Sequence, residues 1–186
     1  ELREVLREAG LEPRLKTSGN RGIHVFAPII PRHEFLDVRH AVIAAARELE
    51  RRMPRQVTTN WWKEARGERI FVDFNQANRD RTMAGAYSPR ALTHAPVSTP
   101  ITWDELPEVD PREFTVRTVP ERLRAHGDPW AEFASGAAEI ETLLRWWERD
   151  VAAGLGELPF PPDYPKMPGE PPRVQPSRAK KVPREG

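Results

Sequence analysis

Residues 16–24, with the sequence KTSGNRGIH, combine the residue types that bind phosphate groups. Ser18 and two glycines favour a tight turn with exposed backbone N–H groups, and Lys16 and Arg21 add positive charge. His24 begins the predicted strand that follows. Backbone donors, a hydroxyl and cations together suit a phosphate chain. The Walker-loop glycine spacing and its Lys-Ser/Thr ending are absent, and a polar loop with a hydrogen-bonded histidine is the alternative interpretation.

Asp73 is the second candidate for chemistry. It lies in residues 69–75 (RIFVDFN), whose alternation of side chains is typical of a strand. A carboxylate in an apolar strand costs several kcal/mol unless it is paired or binds a cation. The pattern therefore predicts a metal ligand, and the alternative is an ion pair with one of the many nearby arginines.

A basic stretch surrounds Asp73, and aromatic residues are interleaved with it. Trp61 and Trp62 precede the stretch and Tyr87 lies within it. Cations between aromatic rings suit a nucleic-acid or nucleotide surface, whereas a solvated face paired with local acids is the alternative. The basic residues are Lys63, Arg66, Arg69, Arg79, Arg81 and Arg90.

Composition limits the class of protein. The 186 residues predict one domain with a tail, and 38% hydrophobic residues suffice for a modest core. The absence of Cys excludes disulfides, Cys-ligated zinc and a thiol nucleophile. With no apolar run long enough to span a bilayer and a charged N-terminal segment, we expect a soluble, cytoplasmic protein without a membrane partner. A net charge of +1 means that an anion site must arise from local clustering.

Hydrophobic periodicity predicts a mixed fold, α/β or α+β. Apolar positions at helical spacing predict helices over 2–9, 35–53 and 140–151, and strands are expected at 23–30 and 69–75. Two strands do not form a stable sheet, so weak candidates at 56–59 and 97–101, or strands preceding Glu1, must complete it. Capping boxes at Thr102/Glu105 and Thr118/Glu121 predict two further short helices.

Proline marks the C-terminal part of the chain. Nine of the 20 prolines lie after residue 154, and proline blocks helix and removes a backbone donor. We expect residues 155–170 to be an extended segment that docks on the domain through its apolar side chains. Residues 171–186 carry five basic residues and one acidic residue, and we expect them to form a disordered basic tail.

Taken in order, four segments resemble one family: TSGNRGIH, WWKEARGERIFVDFNQANRDRTMAGAYSPR, APVSTPITWDEL and FTVRTVPERLRAHGDPW. They are similar to the polymerase domain of bacterial end-joining ligase D and to its stand-alone primase-polymerase relatives, members of the archaeo-eukaryotic primase superfamily. The resemblance implies a primase-polymerase palm over residues 1–154. It implies template-directed nucleotidyl transfer with Mn²⁺ or Mg²⁺ in DNA repair by end joining. The implied partners are DNA, nucleoside triphosphates, and a DNA ligase and an end-binding protein.

The resemblance also implies roles for six residues. They are Ser18 and His24 on the incoming triphosphate, Arg66, Gln76 and Arg90 on the nucleotide, and Asp73 on metal.

The chain departs from the family pattern at the metal site. The family uses an Asp-x-Asp pair in addition to the single Asp, and no such triplet occurs in the sequence. We expect the pair to lie upstream of Glu1 and this chain, the C-terminal portion of the palm, to be catalytically incomplete, because two-metal catalysis needs both ions. A non-catalytic nucleic-acid-binding remnant is the alternative. A metal-dependent phosphodiesterase fits the ingredients but not the order of the motifs.

Overall fold

A computed structural model describes residues 1–20, 22–77 and 82–159. These residues form two compact units, each with its own hydrophobic core. The first unit contains the described residues of Glu1–Val5, His33–Arg81 and Glu141–Gly186, and the second contains those of Leu6–Arg32 and Thr82–Ile140. Because residues 160–186 lie outside the described part, the boundaries at 154 and 170 and the disordered tail remain predictions.

The described residues contain helices and small sheets, so the predicted mixed class is confirmed. The helices are α1 Leu2–Glu8, α2 Phe35–Arg52, α3 Thr118–His126 and α4 Glu141–Ala152. The strands are β1 Arg14–Thr17, β2 Ile23–Phe26, β3 Val57–Thr58, β4 Ile70–Phe71, β5 Ser88–Pro89, β6 Val97–Ser98 and β7 Pro100–Ile101. None of the described helices has the length and apolar character needed to cross a membrane.

A three-stranded antiparallel sheet in the order β2-β1-β7 organises the second unit. Its central strand, β1, was not predicted, because RLKT contains a single apolar residue. Leu15 of β1 packs with Ile101 of β7 in the core of this unit, which also contains Val97, Phe114 and Val119. The weak candidate at 97–101 therefore does supply strands, as β6 and β7.

Strand β2 differs from its prediction in length and burial. It ends at Phe26 rather than at residue 30, since Pro28 cannot donate to a ladder. All four of its residues are only half-buried, because β2 lies at the edge of its sheet. Beyond the strand, Ile29 makes an isolated bridge with Ala138.

Helices α2 and α4 pack together in the first unit, where β3 and β4 form a parallel pair. A reciprocal capping box between Glu34 and Asp37 starts α2, the alanine run of its sequence favours it, and Pro54 follows its end. The core of the unit contains Ile43, Trp61 and Phe74.

The two predicted capping boxes fold differently. Thr102 and Glu105 form theirs, but it begins a turn and a short 3₁₀ segment, Leu106–Glu108, instead of an α-helix. The predicted Thr118/Glu121 box is wrong. Helix α3 begins at Thr118, and Thr118 exchanges backbone–side-chain hydrogen bonds with Thr115 instead.

The start of the proline-rich segment packs on the first unit, as its apolar residues predict. Leu158 contacts the core of that unit, and Glu157 pairs with Arg39 and His40 of α2 at 3.2 and 2.9 Å. Residues 160–170, with the other predicted docking residues, lie outside the described part.

Candidate functional site

The six residues singled out in the sequence are divided between the two units, three in each. The second unit carries Ser18, His24 and Arg90, and the first carries Arg66, Asp73 and Gln76. Each set is described within its own unit.

Ser18 closes a tight turn between β1 and β2. Its backbone N–H donates to the Gly22 carbonyl at 2.8 Å, and its Oγ accepts the N–H groups of Gly22 and Asn20 at 3.0 and 3.2 Å. Because these two bonds use the lone pairs of Oγ, the Ser18 hydroxyl can still donate its proton in a hydrogen bond to a ligand oxygen. The predicted turn is thus present.

Gly19 brings the turn into close contact with Arg90. Its φ is +71°, and a Cβ at this position would lie 2.6 Å from Arg90 Cγ and 3.1 Å from the Ser98 nitrogen. Only glycine fits both the conformation and the space. Arg90 is exposed, its backbone N–H donates to the Pro96 carbonyl at 2.8 Å, and its side chain lies beside Gly19 of the turn.

Lys16 lies in β1 and not, as predicted, in the loop before the strand. Its side chain is fully buried. Its Nζ donates to Ser98 Oγ at 2.5 Å and to His24 Nδ1 at 3.1 Å. Ser98 Oγ in turn donates to the Thr17 carbonyl at 2.7 Å, which fixes the hydroxyl as an acceptor for the lysine. We call Lys16, His24, Arg90 and Ser98 the cation cluster.

Burial and a neighbouring cation both act on the charge of Lys16 in the cation cluster. Burial lowers the pKa of Lys16 to about 8, and the positive charge of Arg90 lowers it further in the same direction. The described residues give Lys16 no carboxylate partner, and its contacts are a hydroxyl, an imidazole and the Phe26 ring at 5.5 Å. A bound anion would supply the missing negative charge.

Aromatic rings adjoin the cation cluster in the same unit. Phe26 contacts Trp130 and Phe133 edge to face, and those two rings stack at 4.8 Å. Tyr87, near Arg90, donates a hydrogen bond from its hydroxyl to Asp128. Burial raises the tyrosine pKa, and that hydrogen bond raises it further. Asp128 also accepts the backbone N–H of Trp130 at 2.8 Å, so Tyr87 and the Trp130 backbone share one carboxylate.

Asp73 lies outside the strand that the sequence predicted for it. Strand β4 ends at Phe71, and Asp73 is exposed in the chain that follows. Its Oδ1 accepts the backbone N–H and the side-chain amide of Asn75, both at 2.9 Å. Gln76 is exposed in the same segment, whereas Phe74 between them is fully buried and anchors it.

Arg66 has a structural role in the first unit. Its guanidinium donates to the carbonyls of Asn60 and Trp61 at 3.0 and 2.8 Å and lies 3.6 Å from the centre of the Phe71 ring. Burial lowers its pKa, and the negative charge of Asp73 opposes that shift. Trp61 itself is 5% exposed, so it belongs to the core and not to a nucleic-acid surface.

A divalent metal requires more ligands than Asp73 alone provides. Mg²⁺ and Mn²⁺ favour several oxygen ligands, and the exposed Asp73 carboxylate fits as one of them. Within the described ranges, Asp73 belongs to no group of three or more His, Asp or Glu side chains that could share an ion. The described residues therefore do not fit a two-metal centre by themselves.

Sequence reasoning missed one member of the cation cluster and misplaced another. Ser98 lies 82 residues from Lys16, and only its presence in the APVSTP motif marked it. Lys16 was noticed for its charge, but no local pattern indicated that a lysine would be buried.

Comparisons with known proteins agree with the resemblance in the motifs. A family model described as LigD, primase-polymerase domain, matches residues 1–130. The chain is 34% identical over 144 residues to the multifunctional non-homologous end joining protein LigD of Pseudomonas aeruginosa, a match that covers 76% of this chain and 17% of that protein. It is 31% identical over 169 residues to the protein of the same name from Mycolicibacterium smegmatis, covering 89% and 22%.

A solved structure has a similar fold. It is the polymerase domain from Mycobacterium tuberculosis Ligase D in complex with DNA, with a TM-score of 0.65 and 30% sequence identity. The match covers 73% of this chain and 47% of that one. The chain spans about a fifth of the length of the two LigD relatives. The family resemblance predicted from the four segments is thereby confirmed.

Proposed function

The chain belongs to the family of LigD primase-polymerase domains, and we propose that it binds the incoming nucleoside triphosphate during template-directed nucleotide addition to DNA. The relatives are named for non-homologous end joining, and the reaction we propose is nucleotidyl transfer onto a primer or gap during that repair.

One observation carries the proposal: a buried lysine, Lys16, has no carboxylate partner among the described residues and lies in a cluster with a second cation, Arg90. Placing uncompensated positive charge in a protein interior is costly, so a folded chain that does so gains from a bound anion. The cluster adjoins the turn closed by Ser18, whose hydroxyl proton can be donated to an anion. A triphosphate offers several charged oxygens to such a set of donors.

The three candidate residues of the second unit have distinct roles in this proposal. Ser18 and His24 donate hydrogen bonds to phosphate oxygens, and Arg90 neutralises part of their charge. As the bond between the α and β phosphates breaks, negative charge grows on the leaving pyrophosphate. Fixed donors and cations stabilise that charge without reorganisation.

The first unit would contribute to the metal site. We propose that Asp73 is one ligand of a Mn²⁺ or Mg²⁺ ion, a type of ion that supplies charge neutralisation in nucleotidyl transfer. Its exposure leaves it accessible, and Asn75 holds its orientation. Gln76 and Arg66 would contact the nucleotide, although the guanidinium of Arg66 already binds two backbone carbonyls.

The proposed partners follow from the relatives. One similar structure was solved in complex with DNA, and we propose primer-template or broken-end DNA as the partner of this chain. From the end-joining names of the relatives we also propose a ligase and an end-binding protein as partners, and the cytoplasm as the location.

A non-catalytic role in nucleic-acid binding is the second candidate. The absence of an Asp-x-Asp triplet from the sequence favours it, because Asp73 alone cannot hold two ions. This role would retain phosphate contacts and DNA affinity without chemistry.

Primer extension distinguishes the two candidates. The 186-residue chain, tested with Mn²⁺, ribonucleotides and a primer-template, is expected to extend nothing. A longer protein that contains both this chain and an Asp-x-Asp pair is expected to extend the primer. If that longer protein binds DNA but never extends it, the non-catalytic role replaces the polymerase.

A further inference from the structure

We propose that Lys16 is a positioning residue: it fixes the ring proton of His24 on Nε2 and supplies a buried positive charge beneath the triphosphate. The inference rests on the proposed function, because it assigns a role within the same site.

The first step is the direction of the hydrogen bond between the two side chains. An ammonium group has three donors and no acceptor, so at 3.1 Å Lys16 Nζ donates and His24 Nδ1 accepts. A ring nitrogen that accepts carries no proton. His24 is therefore the tautomer with its proton on Nε2, the nitrogen able to donate to a phosphate oxygen.

The second step is the support that holds Lys16 in place. Ser98 Oγ accepts from Lys16 at 2.5 Å and donates to the Thr17 carbonyl at 2.7 Å. Lys16 and His24 are also direct partners in the β1–β2 register. The strand pairing and the hydrogen bonds through Ser98 thus fix the distance between the Lys16 ammonium and the His24 ring.

The third step is the cost of the arrangement. Lys16 is fully buried, and among the described residues the titratable groups that face it are the neutral His24 on β2 and the cation Arg90 after β5, neither of which is an acid. A buried cation next to another cation is not explained by stability alone. It is explained if the site binds a polyanion, which offsets both charges.

Proton linkage follows from the pKa of about 8 for Lys16. In the free protein the ammonium begins to lose its proton as the pH rises through 8. A bound polyanion favours the charged form and raises this pKa. Binding near pH 8.5 is therefore coupled to uptake of a fraction of a proton, and between the free and bound pKa values affinity falls by up to about tenfold for each pH unit.

The test uses the 186-residue chain with inorganic triphosphate and GTP as probes. The chain is compared with Lys16→Met, Lys16→Arg and, as a matched control, Arg124→Met, which removes an exposed cation from α3 of the same unit. Calorimetry in buffers of different ionisation enthalpy measures affinity and proton uptake, and ¹⁵N chemical shifts of the His24 ring report its tautomer. Circular dichroism verifies that each variant is folded.

We expect Lys16→Met to weaken binding of both probes by about ten- to a hundredfold and to abolish proton uptake. In this variant the His24 ring should populate both neutral tautomers instead of the Nε2–H form alone. Lys16→Arg should restore affinity and flatten its pH profile between 7 and 9, because arginine stays protonated. Arg124→Met should match the unmodified chain.

Two outcomes separate failure of this inference from failure of the proposed function. If the unmodified chain binds neither probe, the triphosphate site itself is wrong. If it binds both, and Lys16→Met keeps the same affinity, proton uptake and Nε2–H tautomer, Lys16 has no positioning role and the proposed function stands without it.

Discussion

Lys16 and Asp73 are the two charged side chains on which the proposed function depends most, and their environments are opposite. Lys16 is fully buried in the central strand of a sheet and is held by Ser98 and His24. Asp73 is exposed in irregular chain after a two-residue strand, with Asn75 as its hydrogen-bond partner. The proposed phosphate-binding lysine is therefore desolvated in the folded chain, whereas the proposed metal ligand is in contact with water.

This difference indicates that the chain is preorganised for phosphate binding but not for metal binding. A buried cation held by fixed partners is ready for an anion before the ligand arrives. A lone exposed carboxylate binds a divalent ion weakly until other oxygens join it. We therefore expect substitutions in the two units to affect different measurements.

The largest effect is expected at Asp73. In a longer protein that contains an Asp-x-Asp pair, Asp73→Ala should lower primer extension by at least about 10²–10³-fold, because a charge-stabilising ligand is lost. Triphosphate binding to the cation cluster should change little, and Asp104→Ala, an acid elsewhere in the chain, serves as control. Near-normal extension by Asp73→Ala would show that Asp73 is not a metal ligand.

A smaller effect is expected from substitution of His24 or Arg90 in the cation cluster. His24→Ala and Arg90→Ala should each weaken nucleotide binding by about 10–150-fold, since a charge-assisted hydrogen bond contributes roughly 1.5–3 kcal/mol. Their DNA affinity should change much less. A variant that loses DNA and keeps nucleotide would move that residue to a DNA-binding surface.

Substitution of Gly19 tests the contact between the turn and Arg90. Gly19→Ala should displace Arg90 and weaken triphosphate binding by about tenfold, and should also destabilise the protein by about 1–3 kcal/mol through strain and overlap. Gly127→Ala is the matched control, because Gly127 has a φ of +73° and open space around its Cβ position. Gly127→Ala should lower stability through backbone strain alone and leave triphosphate binding unchanged. Equal binding losses in both would argue against the Gly19–Arg90 contact.

The smallest effect is expected in the pH dependence of stability. The pKa of Lys16 is lowered from 10.5 to about 8, so the unfolded chain binds more protons above pH 8 and stability rises with pH. Between pH 7 and 9 the unfolding free energy should increase by about 1 kcal/mol relative to Lys16→Met. Denaturant titrations at the two pH values measure this, and an identical pH response in the variant would show that Lys16 titrates normally.

Local chemistry explains what the sequence predicted well. The turn at Ser18 and Gly19 depends on serine and glycine, and helix α2 is favoured by its alanine run, so neighbouring residues suffice to predict both. The family resemblance rested on several ordered motifs and was confirmed.

Long-range packing explains what the sequence did not predict. Strand β1 was missed because RLKT contains a single apolar residue, and the burial of Lys16 depends on Ser98, which is distant in the chain. The strand at 69–75 was predicted too long because alternation alone does not reveal the length of its partner, β3. Ile70 is 69% exposed, so that alternation did not indicate a buried face.

The central claim is that the cation cluster binds the phosphates of a nucleotide, and an NMR titration of the ¹⁵N-labelled chain with GTP tests it most directly. The account predicts saturable shifts of the amide signals of the Ser18–Gly22 turn, His24, Arg90 and Ser98. No shift in these signals at millimolar GTP, or shifts confined to the first unit, would contradict it.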